Sequence, residues 1–208
     1  MSSSDKNNSQ DEENQKMHNS IKYGLISQDK SCINVYDLIK SYFTNSKSKY
    51  LLKDKFHYEF SPSIFPHITI TINNLRKIEN IYTKYNQFNF FLILIDIQTS
   101  CIDFLDKAID AIIDAGDNNY NKKCYIFGFF EDNNKKSIPE ERITTIIDAK
   151  GIEYYYSQIK IDDVEKYCKI MEVVISDSNT IMVEKFLDQR HSELGLDNSK
   201  SQSHCLIF

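Results

Sequence analysis

Positive charge is scarce in this chain, paired cysteines are missing, and no apolar run approaches the length of a bilayer. Its 25 Lys and Arg are outnumbered by 30 Asp and Glu, giving a formal net charge of −5 over 208 residues. A nucleic-acid binder needs a clustered basic face, so that class of partner is excluded. The five cysteines (Cys32, Cys101, Cys124, Cys168 and Cys205) are scattered, with no CxxC and no Cys/His pairing. That argues against a zinc site or a disulfide scaffold and fits a reducing cytosol. The start of the chain is polar and acidic, unlike a signal peptide. The longest apolar stretch, Phe90 to Ile95, falls far short of the roughly 20 residues that span a membrane. The chain is therefore expected to be soluble unless something covalent tethers it.

What is present is one domain between two polar ends. Residues 1–20 are rich in Ser, Asn, Gln, Asp and Glu and too poor in apolar side chains to offset the entropy of ordering, which reads as a disordered tail. Residues 188–208 read as a flexible linker. Residues 21–187 alternate. Ile21 to Ile26 has short-strand character, and Cys32, Val35, Tyr36, Ile39 and Phe43 recur at helical spacing. His67 to Ile72 alternates with period two. Phe90 to Ile97 is continuously apolar but for Asp96, as in a parallel strand buried on both faces. Thr99 or Ser100 is placed to cap a helix with Ile102, Leu105, Ile109, Ile112 and Ile113 on one face, and Gly116 to end it. Cys124 to Phe130 is a buried strand, and Pro139, Glu140 and Glu141 open a helix ending near Gly151. Ile152 to Tyr156 is a strand. Asp162 or Asp163 caps a final helix whose apolar face takes in Val164, Tyr167, Ile170, Val173 and Val174. The alternation predicts an α/β fold, a mostly parallel sheet with helices on both faces.

In such folds the first strand–helix turn is the usual phosphate cradle. Here it reads Gly24-Leu25-Ile26-Ser27-Gln28-Asp29-Lys30-Ser31, which fits GxxxxGK[ST] at Gly24, Lys30 and Ser31. That chemistry needs backbone N–H groups around a phosphate, a lysine for its oxygens and a hydroxyl for Mg²⁺. Asp29 stands where the second glycine belongs. A carboxylate about 4 Å from a phosphate charge is repelled by roughly 4 kcal/mol at an effective dielectric of about 20. That is about three powers of ten in affinity. Taken alone, Lys-Ser after a short strand is also simply how a helix starts. A shortened or shifted loop is a second alternative, since only Ile21 and Tyr23 are apolar ahead of Gly24.

From Ile21 to Val174 the chain resembles the small GTPases of the Ras/Rab superfamily, and that resemblance implies a single G-domain-like sheet. The family's Mg²⁺-binding threonine has no counterpart in residues 45–55, with Thr44 just ahead. Its DxxG motif aligns with Thr71-Ile72-Asn73-Asn74-Leu75, which lacks the aspartate, the glycine and the glutamine. Asp96 falls where many members close a strand with aspartate. The guanine-reading NKxD motif aligns with Phe129-Phe130-Glu131-Asp132, keeping only the aspartate. The last motif aligns with Gln158-Ile159-Lys160, keeping only the lysine. The resemblance thus implies Gly24, Lys30, Ser31, Asp132 and Lys160 as a degenerate GTP/GDP site, with Ser31 the remaining Mg²⁺ ligand. Switching and hydrolysis are expected to be poor or absent, because the γ-phosphate sensor and the water-orienting group are gone. The alternatives are a divergent but active GTPase using Lys30, Ser31 and Asp132, or a lipid-anchored α/β protein of unrelated function. The two phenylalanines are expected to pack rather than stack on a purine.

The chain ends Cys205-Leu206-Ile207-Phe208, a CaaX pattern, and terminal phenylalanine points to geranylgeranyl rather than farnesyl on Cys205. No polybasic second signal precedes it. One prenyl chain gives marginal, reversible binding. The expectation is a protein at the cytoplasmic face of a membrane with a soluble cytosolic pool, handled by a prenyltransferase and a prenyl-binding carrier and recruiting effector proteins. His67, the tyrosines 154–156 and Glu131-Asp132-Asn133-Asn134 are read as a polar strand end, a half-buried strand and a solvated turn.

Overall fold

The computed structural model describes residues 20–28, 34–46, 49–54, 56–116, 122–132, 135 and 137–193. The expected N-terminal tail up to residue 19, Asp29, Lys30 and Ser31, and Cys205 all lie outside the described residues.

The strands are β1 (Ser20–Ser27), β2 (Lys49–Asp54), β3 (His57–Ser61), β4 (Thr69–Asn74), β5 (Phe90–Asp96), β6 (Cys124–Phe130) and β7 (Tyr154–Lys160). They form one seven-stranded sheet in the order β2-β3-β4-β1-β5-β6-β7. β4, β1, β5, β6 and β7 run parallel, while β3 pairs antiparallel with both β2 and β4. Every residue of β5 is buried, because this strand, apolar but for Asp96, sits mid-sheet with helices above and below.

Among the described residues five α-helices cover the sheet: α1 (Val35–Ser46), α2 (Asn80–Lys84), α3 (Ile102–Ala115), α4 (Glu140–Ala149) and α5 (Val164–Glu193). Ile39 and Tyr42 of α1 join Tyr167, Ile170, Met171, Val174 and Ile175 of α5 in the core on one face. Ile81, Leu105, Ile109, Ile112, Ile143 and Ile147 bring α2, α3 and α4 together on the other. Each such side chain contributes roughly 1.5–3 kcal/mol through burial. The fold is thus α/β, a mostly parallel sheet with helices on both faces, consistent with a G-domain-like fold.

The helix ends follow local chemistry. Asn34 and Asp37 form a reciprocal cap on α1: Asp37 N donates to Asn34 Oδ1 (3.3 Å) and Asn34 Nδ2 to Asp37 Oδ2 (2.6 Å). Asp163 Oδ1 accepts Lys166 N at 3.0 Å at the start of α5. Gly151 ends α4 with φ +66°, the left-handed conformation that favours glycine.

Several expectations need correction. β2 and β3 form an antiparallel hairpin that was not anticipated between the first helix and the fourth strand. Helix α3 starts after Cys101, which makes no side-chain cap, and neither Thr99 nor Ser100 caps it. Val173 is not on the apolar face of α5: it is 52% exposed, whereas Val174 is fully buried. Helix α5 runs 30 residues to Glu193, so residues 188–193 are helical rather than the start of a flexible linker.

Candidate functional site

The parallel strands carry their loops to one edge, where an α/β sheet places its ligand. The chain leaves β1 for α1 on one face and leaves β5 for α3 on the other. Diverging loops of this kind open a crevice between adjacent strand ends. A side chain bridges it here. Gln28 extends the β1–β5 ladder by one rung, its N donating to Leu94 O at 3.0 Å. Its Oε1 then accepts Asp96 N (3.0 Å), and its Nε2 donates to Thr99 Oγ1 (3.1 Å) and Ser100 O (3.4 Å). Thr99, expected as a helix cap, instead donates its hydroxyl to Asp96 O at 3.1 Å. Asp96 itself is only 4% exposed, and its Oδ1 accepts Gln98 N at 3.0 Å.

A second glutamine ties this loop to the next. Gln98 Oε1 accepts Glu131 N (2.9 Å) and Asp132 N (3.3 Å), and its Nε2 donates to Asp132 O. The backbone of the turn after β6 is thereby held against the end of β5. Asp132 is half-buried in that turn. Lys160, closing β7, donates to Asp162 Oδ2 at 2.7 Å. That bond is the main reason its amine titrates above the ordinary lysine value, and the charges of Asp162, Asp132 and Asp163 add to it. Asp162 is correspondingly held below the usual carboxylate value. Asp132 and Lys160 thus share one corner of the edge, as expected of neighbouring loops.

Gly24 does not share it. The glycine lies inside β1, level with Asn73 of β4 and Phe91 of β5, with Leu25, Ile26 and Ser27 still to follow in the strand. It serves packing: a Cβ there would meet Phe88 Cδ2 and Phe91 Cε1 at 2.9 Å. The connection from β1 to α1 therefore begins at Gln28, not at Gly24. Thr44 is in α1, exposed, its hydroxyl donating to Lys40 O at 3.0 Å.

Phe129 and Phe130, aligned with the guanine-reading asparagine and lysine, both pack. Phe129 is fully buried against Phe127 and Tyr167, with ring centroids 6.5 and 6.4 Å away. Phe130 is partly buried against the core of the opposite face. Beside Phe129, between the first turns of α1 and α5, a cleft of about 240 Å³ is lined by Leu38, Ile159, Ile161, Val164 and Tyr167 together with the polar Asn34, Asp37 and Ser41. The tyrosines 154–156 are half-buried, and His67 is exposed just ahead of β4.

Among the described residues, no group of three or more His, Cys, Asp or Glu is placed to hold a metal ion. Among those residues, too, no helix is long and apolar enough to cross a membrane. No protein-family model matches the chain, and no curated protein matches it. The two glutamines that organise the edge gave no signal in the sequence. Gln28 sits in a polar run and Gln98 between a strand and a cap-like pair, and only the strand order brings them to their partners.

Proposed function

We propose that this chain is a membrane-tethered binding module of the Ras/Rab kind, a pseudo-GTPase without a nucleotide-driven switch. A geranylgeranyl (or farnesyl) thioether on Cys205 holds it at the cytoplasmic face of a membrane, with a soluble cytosolic pool bound to a prenyl carrier. It recruits effector proteins through its surface. The observation that carries the non-switching part is the Gln28 bridge, whose side-chain amide ties the end of β1 to the end of β5 and the loop after it. The packing of Phe129 and the seating of Gly24 inside β1 point the same way. A buried phenylalanine offers no hydrogen bond to a base edge, and a strand-bound glycine offers no loop N–H to a phosphate. The anchor rests on the terminal tetrapeptide alone.

Titration of the purified full chain with fluorescent GDP and GTP in the presence of Mg²⁺ tests the first part. No saturable binding at micromolar concentration is expected, and tight saturable binding returns the chain to the class of working switches. Mass spectrometry of the terminal peptide from a eukaryotic host tests the second, with a prenyl thioether on Cys205 expected. An unmodified Cys205 removes the tether.

A further inference from the structure

At the outer end of β4 the structure holds a cavity of about 650 Å³. Its polar walls are His57, Asn73, Asn74, Arg76, Asn80 and Lys84, and none of the described residues lining it is acidic. On a chain of net charge −5 this is a local reversal of sign. It is also an unneutralised one. Lys123, Lys135, Lys150, Lys160 and Lys169 each sit within ion-pair distance of a carboxylate. Arg76 and Lys84 have no such partner among the described residues.

The cavity is built rather than incidental. Arg76 adopts φ +62°, a left-handed conformation that a side-chain-bearing residue avoids without local support. Two contacts hold it there: its backbone N donates to Asn74 Oδ1 at 3.0 Å, and its guanidinium lies 3.2 Å over the Phe56 ring. Stacking fixes the plane of the guanidinium while leaving its N–H edge free to meet an acceptor. Asn80 Nδ2 donates to Leu75 O at 2.6 Å and His57 Nδ1 contacts Asn73 Oδ1, so the surrounding amides are oriented as well.

A pre-oriented planar guanidinium beside a free ammonium and carboxamide N–H groups suits a tetrahedral dianion better than a single carboxylate, because several acceptor oxygens must be met at once. We infer that this cavity is a binding site for a phosphate monoester, carried either by a soluble small molecule or by a lipid headgroup. Arg76 and Lys84 supply the charge, and Asn74 and Asn80 line the approach. Asn73, Asn74 and Leu75 belong to the segment aligned above with DxxG, but the charge comes from Arg76 and Lys84, and neither Gln28 nor Cys205 enters the inference.

The test uses the full chain carrying Cys205→Ser, so that no lipid anchor contributes. Phenyl phosphate is titrated against it by calorimetry, with phenyl sulfate as the monoanionic comparison. In parallel, sedimentation is measured with phosphatidylcholine vesicles with and without phosphatidic acid. Saturable binding of phenyl phosphate, weaker for the sulfate, is expected. Arg76→Gly, which keeps the backbone conformation available, and Lys84→Ala should each weaken it by about tenfold or more, while Lys107→Ala, on α3 and outside the cavity lining, leaves it unchanged. Binding of the free ester alone assigns the soluble source, and a preference for phosphatidic acid vesicles assigns the lipid. Absence of both, or Arg76→Gly and Lys84→Ala binding as tightly as the parent, overturns the inference.

Discussion

The Tyr23 hydroxyl donates to Ser178 Oγ at 2.8 Å, joining the central strand β1 to the middle of α5. The chain of donors continues in one direction. Ser178 donates to the Tyr125 hydroxyl at 2.8 Å, Tyr125 donates to Asp177 Oδ2 at 2.8 Å, and Lys123 Nζ meets that oxygen at 2.9 Å. Ser178 and Tyr23 are fully buried, so the relay is the polar seam that fixes where α5 lies on the sheet. Ser178→Ala leaves a buried phenol without an acceptor and another without a donor. A loss of about 1–3 kcal/mol is expected in urea unfolding. A loss under about 0.5 kcal/mol, the usual scale of an indifferent substitution, would mean that the relay adds nothing to the apolar contacts around it.

The same burial gives the fold a pH limit. Tyr23, Tyr125 and Tyr167 are all pushed above the ordinary tyrosine value of 10.0, with burial the leading cause in each. The folded state therefore keeps phenolic protons that the unfolded chain gives up near that value. Where the native state binds more protons than the unfolded one, stability falls as pH rises. This contribution is intact below pH 10.0 and is lost progressively above it. Urea midpoints should decline from there upward, and a midpoint that stays level through that range contradicts the assignment.

Gly24 separates a packing role from a phosphate-gripping one. Alanine in a strand interior ordinarily gains about 0.5–1 kcal/mol over glycine. Here its Cβ would press on two aromatic rings at 2.9 Å, and neither ring has room to retreat, since Phe88 and Phe91 are 3% and 0% exposed. Gly24→Ala is expected to destabilise by about 1–3 kcal/mol. A neutral or stabilised variant would mean that the strand is not packed as described.

Gln28→Ala removes the bridge across the strand ends. The expected cost is about 1–3 kcal/mol, because the Asp96 amide loses its acceptor in a part-buried site. Amide hydrogen exchange gives the sharper readout. Exchange at Asp96 should quicken in the variant while that at Leu94, deep in β5, is unchanged. Equal protection at Asp96 in both proteins rules the bridge out.

The layered fold was readable where burial imposes a simple period. The apolar run Phe90 to Ile95 and the face Leu105-Ile109-Ile112 lie where hydrophobic spacing puts them, and Gly151 ends α4 as a helix-terminating glycine does. The hairpin was harder to find. In β3 the alternation of buried Tyr58 and Phe60 with half-buried neighbours is a period-two signal, but it spans only five residues. The reach of α5 was hidden for the opposite reason. Ile181 and Met182 still pack against the core, but residues 188–192 are exposed and polar, so no apolar stripe marked the last turns as helix. The strand edge was the least legible part. A glycine, lysine and serine suggested a cradle, yet where a strand stops is set by its neighbours, and pairing with β4 and β5 carries β1 on past Gly24. The bridging roles of Gln28 and Gln98 depend on residues some 33 to 72 positions away, which no local pattern encodes.

The most direct test of the account is the nucleotide content of the protein itself. Freshly purified full-length chain is denatured, and the released small molecules are separated by anion-exchange chromatography. With the Gln28 amide bridging the strand ends, the supernatant should hold no guanine nucleotide above a trace. One equivalent of GDP or GTP per chain would contradict it.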